Sequence, residues 1–144
     1  MMSNEIRKKI VDAALSFVGT PFRPQGRIPG VALDCLGVAI CAGKSAGIHI
    51  DEQTPRYKIS GVSGAQIEAG KALFEQMEET YKMQPGDIIG WQILGRGRLI
   101  HCGIFVGNGW VVHARCDSAS KVVHERINAV NMPIVGVFRF KGIE

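Results

Sequence analysis

The sequence lacks any long apolar run. Its first segment, MMSNEIRKKIVDAALSF, is broken by charge every few positions, so neither a signal peptide nor a membrane-crossing helix is expected there, and none is expected further along. This predicts synthesis and folding in the cytoplasm, with export left to a larger assembly. Long basic runs are missing too. The 17 Lys and Arg residues are scattered among 13 Asp and Glu, for a net charge of +4. No nucleic-acid partner is expected from that pattern, and the mild positive excess favours some other anionic polymer or phosphate. The four cysteines, 35, 41, 102 and 116, include no C-x-x-C pair and form no dense framework, so thiols are expected rather than disulfides. There is no internal repeat and no linker. A chain of 144 residues, 46% hydrophobic and 21% charged, suits one domain, 1–144, with a buried core.

What is present reads as helices first and strands afterwards. Ile6, Ile10, Ala13, Ala14 and Phe17 share one face of a helix over 4–17, with Ser3 as N-cap and Gly19-Thr20-Pro21 as terminator. Residues 20–33, TPFRPQGRIPGVAL, hold three prolines and two glycines, which excludes a regular element. Residues 35–46 are small and apolar nearly all round, as a central buried helix should be, and Gly47 stops them. An irregular stretch over 48–62 precedes an amphipathic helix over 63–80 carrying Ile67, Leu73, Phe74 and Met77. After the turn Pro85-Gly86-Asp87 come strand patterns at 87–94, 99–106, 110–115, 120–124 and 134–140. The fold class is α+β, with N-terminal helices packed on a C-terminal antiparallel sheet.

The stretch ALDCLGVAI puts Cys35 at the start of that central helix. A helix amino end carries partial positive charge and free N–H groups. A thiolate there has a lowered pKa, and the same N–H groups can bind an oxyanion. Asp34 sits at the N-cap, and Gly37 lets another segment approach closely. The competing reading is that Cys35 simply packs, as buried free cysteines usually do.

A nearby base would separate these readings, and two of the four histidines qualify. His101 opens the strand HCGIFVG and His113 lies in WVVHA, with Gly107-Asn108-Gly109 between them as a hairpin signal. A two-residue loop at 108–109 would set His113 opposite Ile104, on the other face from His101. A three-residue loop, 107–109, would pair Val106 with Trp110 and set His113 across from Gly103, diagonal to His101. Diagonal neighbours are about 7–8 Å apart at the backbone, within side-chain reach. The odd loop is the expectation, because Gly109 suits it and Gly103 leaves room. His101 would then be the general base for Cys35, with His113 orienting it. His49 and His124 receive no role. Trp91 and Trp110 are expected in the core or at its rim.

The same residues could instead bind zinc, since His113 and Cys116 are two residues apart and Cys102 follows His101. Cys102 and Cys116 should face away from the histidines, however, and no second ligand cluster exists. No metal and no cofactor are expected.

The ordered motifs GTPF (19–22), DCLG (34–37), QPGDII (84–89), HCGIFVGNG (101–109) and VVHA (111–114) resemble the NlpC-type cell-wall cysteine peptidases, which have a compact papain-like fold. The loop RPQGRIPGVALDC is most similar to phage, prophage and gene-transfer-agent members. For these the resemblance implies association with a virion tail and tail proteins as partners. It implies cleavage of peptidoglycan stem peptides at the bond between the γ-carboxyl of D-glutamate and a diamino acid. Carried over residue by residue, Cys35 would be the nucleophile, His101 the base and His113 the third residue. The Cys35 N–H would serve the oxyanion hole, and Asp34 would bind substrate or cap the helix. Arg23 and Arg27, in the loop beside the cysteine, would receive stem-peptide carboxylates. Two positions depart from the usual pattern: Phe22 stands where many members have tyrosine, and Leu36 where many have serine. Both bear on substrate contacts. The other readings are a structural tail-tip component with little or no catalysis, and a thiol amidase or acyltransferase acting on another amide. Nothing in packing alone demands a Cys-His-His set.

Overall fold

The computed structural model describes residues 3–52, 64–93 and 100–143, and the side chains of all these but 64–67. Helix α1 spans Ser3–Ser16 and buries Ile10 and Ala14, as its apolar spacing requires. Gly19, at φ +93°, turns the chain out of it. Helix α2 spans Cys35–Ser45 and is buried at Cys35–Ile40, Ala42 and Gly43. Its small residues let it pack against α1 on one side and the sheet on the other. The Asp34 carboxylate caps it by accepting the Gly37 N–H at 2.8 Å. Gly47, at φ +84°, lets the chain leave.

Between these helices the loop is more ordered than its composition predicts. Arg27–Ile28 (β1) and Ala32–Leu33 (β2) form a short antiparallel pair. The three prolines, 21, 24 and 29, all fall outside the paired residues, so none removes a ladder donor. A second correction concerns 63–80. Helix α3 covers Gly64–Glu75 only, and Met77–Glu79 (β3) form a strand paired with Ile134–Phe140 (β8). Burial of Met77 and an open strand edge beside it override the helical periodicity. Of the irregular stretch expected over 48–62, residues 53–62 lie outside the described residues, as do residue 63, the strand ends at 94 and 99, and the Ile67 side chain.

The main sheet is antiparallel, in the order β3-β8-β4-β5-β6-β7, with Ile88–Gln92 (β4), Ile100–Gly107 (β5), Trp110–Ala114 (β6) and Val122–Arg126 (β7). Alternation along the strands splits it into two faces. Ile88, Cys102, Ile104, Val112, Ala114 and Val122 join α1 and α2 in the main core. Ile89, Trp91, Phe105 and Val111 form a second cluster on the other face with Val130. Helices on an antiparallel sheet, with Cys35 opening the central helix, match the predicted α+β class.

Asp87 ties α1 to the sheet. It is fully buried, takes Arg7 Nη1 at 3.1 Å on Oδ1, and takes Arg139 Nε at 2.9 Å on Oδ1 and Nη2 at 2.8 Å on Oδ2.

The hairpin β5–β6 corrects the expected loop but keeps its consequence. Gly107 pairs with Trp110 across a two-residue turn whose Asn108 and Gly109 both have positive φ, 55° and 81°. The pairs then become Phe105–Val111 and Ile104–Val112, which leaves Val106 as a bulge. The extra residue that was assigned to the turn sits in the strand. The bulge restores the parity, and His113 comes beside Gly103, where an added Cβ would lie 2.8 Å from His113 Cβ.

Candidate active site

Cys35 is the first residue of α2, 6% exposed, with the helix amino end behind it. The segment before it is drawn tight against the helix. A Cβ on Gly37 would lie 2.2 Å from the Gly26 carbonyl, so only glycine permits this approach. Beneath the cysteine, Cys102 Sγ donates to the Cys35 carbonyl at 3.2 Å. The Cys35 thiol is held well below its ordinary pKa. The largest cause is hydrogen bonding from the Cys102 thiol, followed, against the cost of burial, by the hydrogen bond and charge of His101. The Cys102 thiol is pushed the other way by its bond to Cys35 and by burial. Of these adjoining thiols, Cys35 is the one that ionises, because His101 and the helix amino end are on its side.

His101 is the second residue of β5 and His113 lies diagonally across on β6. His101 Nε2 and His113 Nδ1 are 2.7 Å apart. The rings meet edge to face, with centroids at 4.9 Å. Both are buried, at 8% and 3% exposure. Trp91 pairs with His101 across β4–β5 and its fully buried ring lies 5.6 Å from His101 and 5.7 Å from His113. Trp91 is thus a core residue that also walls the histidine pair. Behind them, His113 Nε2 is 2.5 Å from Glu125 Oε1 on β7. Burial, then the charge of His101, hold the His113 pKa down at about 4, against the opposing pull of Glu125. His113 is therefore neutral at pH 7.

The chain brings Cys35, His101 and His113 together, as the hairpin parity requires. The other residues singled out in the sequence fall around them differently. Asp34, 2% exposed, is the helix cap; it also accepts the Gln25 N–H at 2.9 Å and Arg27 Nη1 at 2.7 Å. The Arg27 guanidinium is committed to Asp34 and to Glu52 Oε1, so its charge is shared with two carboxylates of the chain itself. Arg23 is exposed. Phe22 is half-buried, bridged to Leu33 and packed against the core. Leu36 is buried, at 2% exposure, and lines a small cavity with Arg27, Ile40 and Leu73. Trp110 is half-buried and stacked between His124 (4.6 Å) and Arg126 (4.8 Å). Among the described residues, no group of three or more His, Cys, Asp or Glu side chains is placed to hold a metal.

Two members of the site were missed in the sequence. Glu125 lies one step beyond the strand expected at 120–124; continuing the alternation by one residue would have put it on the face of His113. Cys102 was placed on the correct face, away from the histidines, but that face is where α2 and Cys35 pack.

The NlpC/P60 family model matches residues 19–134, which includes the whole of this constellation. The chain belongs to the NlpC/P60 family. Among curated proteins it is similar to a probable endopeptidase of Mycobacterium tuberculosis, 29% identical over 108 residues, covering 75% of this chain and 23% of that protein. A probable endopeptidase of Mycobacterium bovis matches equally. This NlpC/P60 chain thus spans about a quarter of the length of the curated relatives it matches. Among solved structures, NlpC2 of Trichomonas vaginalis superposes with TM-score 0.72 at 17% identity, covering 94% of this chain and 47% of that one. The peptidoglycan hydrolase RipB of Mycobacterium tuberculosis superposes with TM-score 0.61 at 24% identity, covering 99% and 67%. These likenesses establish that the fold is the NlpC/P60 fold.

Proposed function

We propose that this NlpC/P60 chain is a thiol-dependent endopeptidase that hydrolyses peptidoglycan stem peptides within a single peptidase domain, 1–144. The observation that carries the reading is the junction of an acidified Cys35 thiol with a histidine pair linked at 2.7 Å. The probable endopeptidases and the peptidoglycan hydrolase among its relatives support the substrate class.

In this reading the Cys35 thiolate attacks the amide carbon of the scissile bond. The oxyanion that forms is met by the Cys35 N–H at the amino end of α2. His101 Nε2 is occupied by His113, so His101 Nδ1 faces the chemistry. A proton on Nδ1 passes to the leaving amine, and the acyl group stays on sulfur as a thioester. Water then attacks the thioester while His101 Nδ1 takes its proton, the C–S bond breaks, the acid product leaves, and the Cys35 thiolate is restored beside the protonated His101. No step requires a metal. The bond proposed is the one joining the γ-carboxyl of D-glutamate to a diamino acid. Of the loop arginines, exposed Arg23 is the better receptor for a stem-peptide carboxylate, and Arg27 supports the loop through Asp34 and Glu52. Phe22 and Leu36 would shape the subsite without offering a hydrogen bond. Delivery by a phage tail, with tail proteins as partners, is the setting that the 23–35 loop favours.

The test is a digest of defined muropeptides read by mass spectrometry, with Cys35→Ala alongside and a chelator added in parallel. A cut that survives chelation and disappears in Cys35→Ala supports the reading, and the fragment masses name the bond. A cut that persists in Cys35→Ala, or no cut of any stem peptide by the unmodified chain, overturns it.

A further inference from the structure

The structure shows a half-buried carboxylate beside the histidine pair that the proposed chemistry leaves unused. Glu125 Oε1 lies 2.5 Å from His113 Nε2, on the side of that ring away from His101. Its position follows from sheet register: Glu125 pairs with Val111 and His113 with Val123, so the two are diagonal neighbours on one face. Glu125 Oε2 is 3.7 Å from Arg115 Nη1, whose Nε and Nη2 are turned toward Asp117.

Resting on the proposed peptidase reading, we infer that Glu125 is a positioning residue that sets the protons along the whole histidine pair. An ionised carboxylate only accepts hydrogen bonds. Glu125 therefore requires a proton on His113 Nε2. A neutral ring carries one such proton, so His113 Nδ1 is left as a lone pair. The 2.7 Å contact then needs its proton from His101 Nε2. Neutral His101, with its one proton on Nε2, has Nδ1 bare, and that is the atom left to take the proton of Cys35. When it does so, His101 carries positive charge, and Glu125 is the carboxylate that reaches it through the neutral His113 ring. The titratable or charged groups that act on His113 are His101, Glu125 and Arg115. Arg115 opposes this effect, and its link to Asp117 moderates that opposition.

The arrangement is checked first without any substrate. Nitrogen-15 spectra of the histidine rings at pH 7 should show His113 with its proton on Nε2 in the unmodified chain. In Glu125→Gln, whose amide can either donate or accept, His113 should become a mixture of tautomers and the titration of the ring pair should move to lower pH. On muropeptides, kcat should fall roughly ten-fold with KM unchanged, the lower end of what is lost when the hydrogen-bond partner behind a metal-bound histidine is removed. The alkaline limb of the rate profile should move to lower pH with the ring titration. A proton on His113 Nδ1 in the unmodified chain overturns the inference, and so does a folded Glu125→Gln with unchanged ring titration and kcat. A variant that loses only melting temperature would assign Glu125 a packing role and likewise overturn it. If Glu125→Gln does not fold, the spectrum of the unmodified chain decides alone. Because ring spectra need no substrate, failure to cut muropeptides would sink the peptidase reading and leave this test standing.

Discussion

Cys102 stands directly behind Cys35, its Sγ 3.2 Å from the Cys35 carbonyl oxygen and its thiol the largest influence lowering the Cys35 pKa. Cys102, expected only to face away from the histidines, thus acts on the proposed nucleophile. The Cys102→Val substitution removes the donor while keeping an apolar side chain of similar size. Hydrogen bonds to charged groups are worth roughly 1.5 kcal/mol at the lower end, and S–H is a weak donor. The rise of Cys35 alkylation rate with pH should therefore move to higher pH. Cys102→Ser, which retains a donor, should keep the rise near its original place. Iodoacetamide kinetics across pH decide, and identical curves for all three chains would refute the role.

His113 makes stability depend on pH. Its folded pKa of about 4 lies below the ordinary 6.5, so as pH falls the unfolded chain takes up the proton first. The contribution is complete above pH 6.5, is lost as pH drops from there toward 4, and does not fall further below that. The loss amounts to roughly 3 kcal/mol. Urea unfolding at pH 7.5 and 4.5 should show a larger drop for the unmodified chain than for His113→Asn. Equal drops would mean that the buried ring contributes nothing to acid sensitivity.

The triad of Arg7, Asp87 and Arg139, buried at Arg7 and Asp87, should dominate the electrostatic contribution to folding. Asp87→Ala removes the carboxylate shared by two guanidinium groups, of which Arg7 is only 7% exposed at its side chain. Breaking such a pair by removing one partner costs about 3–5 kcal/mol. The surface pair Lys8–Asp12 has side chains 75% and 58% exposed. Lys8→Ala should change stability by less than about 1 kcal/mol. Chemical denaturation of both variants tests the contrast, and similar losses would contradict it.

The parts of this molecule legible in the sequence were those fixed by local chemistry. Asp34 followed by a small apolar run announces a capped, buried helix, and the structure has it at Cys35–Ser45. The strand series from 88 onward follows from alternation and turn residues. What stayed hidden depends on distant partners. The strand at Met77–Glu79 exists because Phe140 and its neighbours offer an edge. The commitment of Arg27 depends on Glu52, 25 positions further on. Of the two roles expected for Asp34, substrate binding or capping, the structure has the cap, and both carboxylate oxygens accept hydrogen bonds from groups that the sequence does not place beside it. In the hairpin, counting residues gave the correct facing of His113 but misplaced the extra residue, because a two-residue turn with a bulge and a three-residue turn leave the same remainder.

That remainder has an evolutionary consequence. Val106 occupies the bulge between the Phe105–Val111 and Gly107–Trp110 pairs, half-buried, and takes no part in the proposed chemistry. Its identity is therefore cheap to vary. Its presence is not, because deleting it would slide β6 by one residue, turn His113 into the helical core and bring Val112 up beside His101. The proposed catalytic constellation is written partly as chain length. Lineages of this domain should drift freely in side chain at position 106 and hold the hairpin free of single-residue gaps, a pattern that residue-by-residue scanning would never reveal.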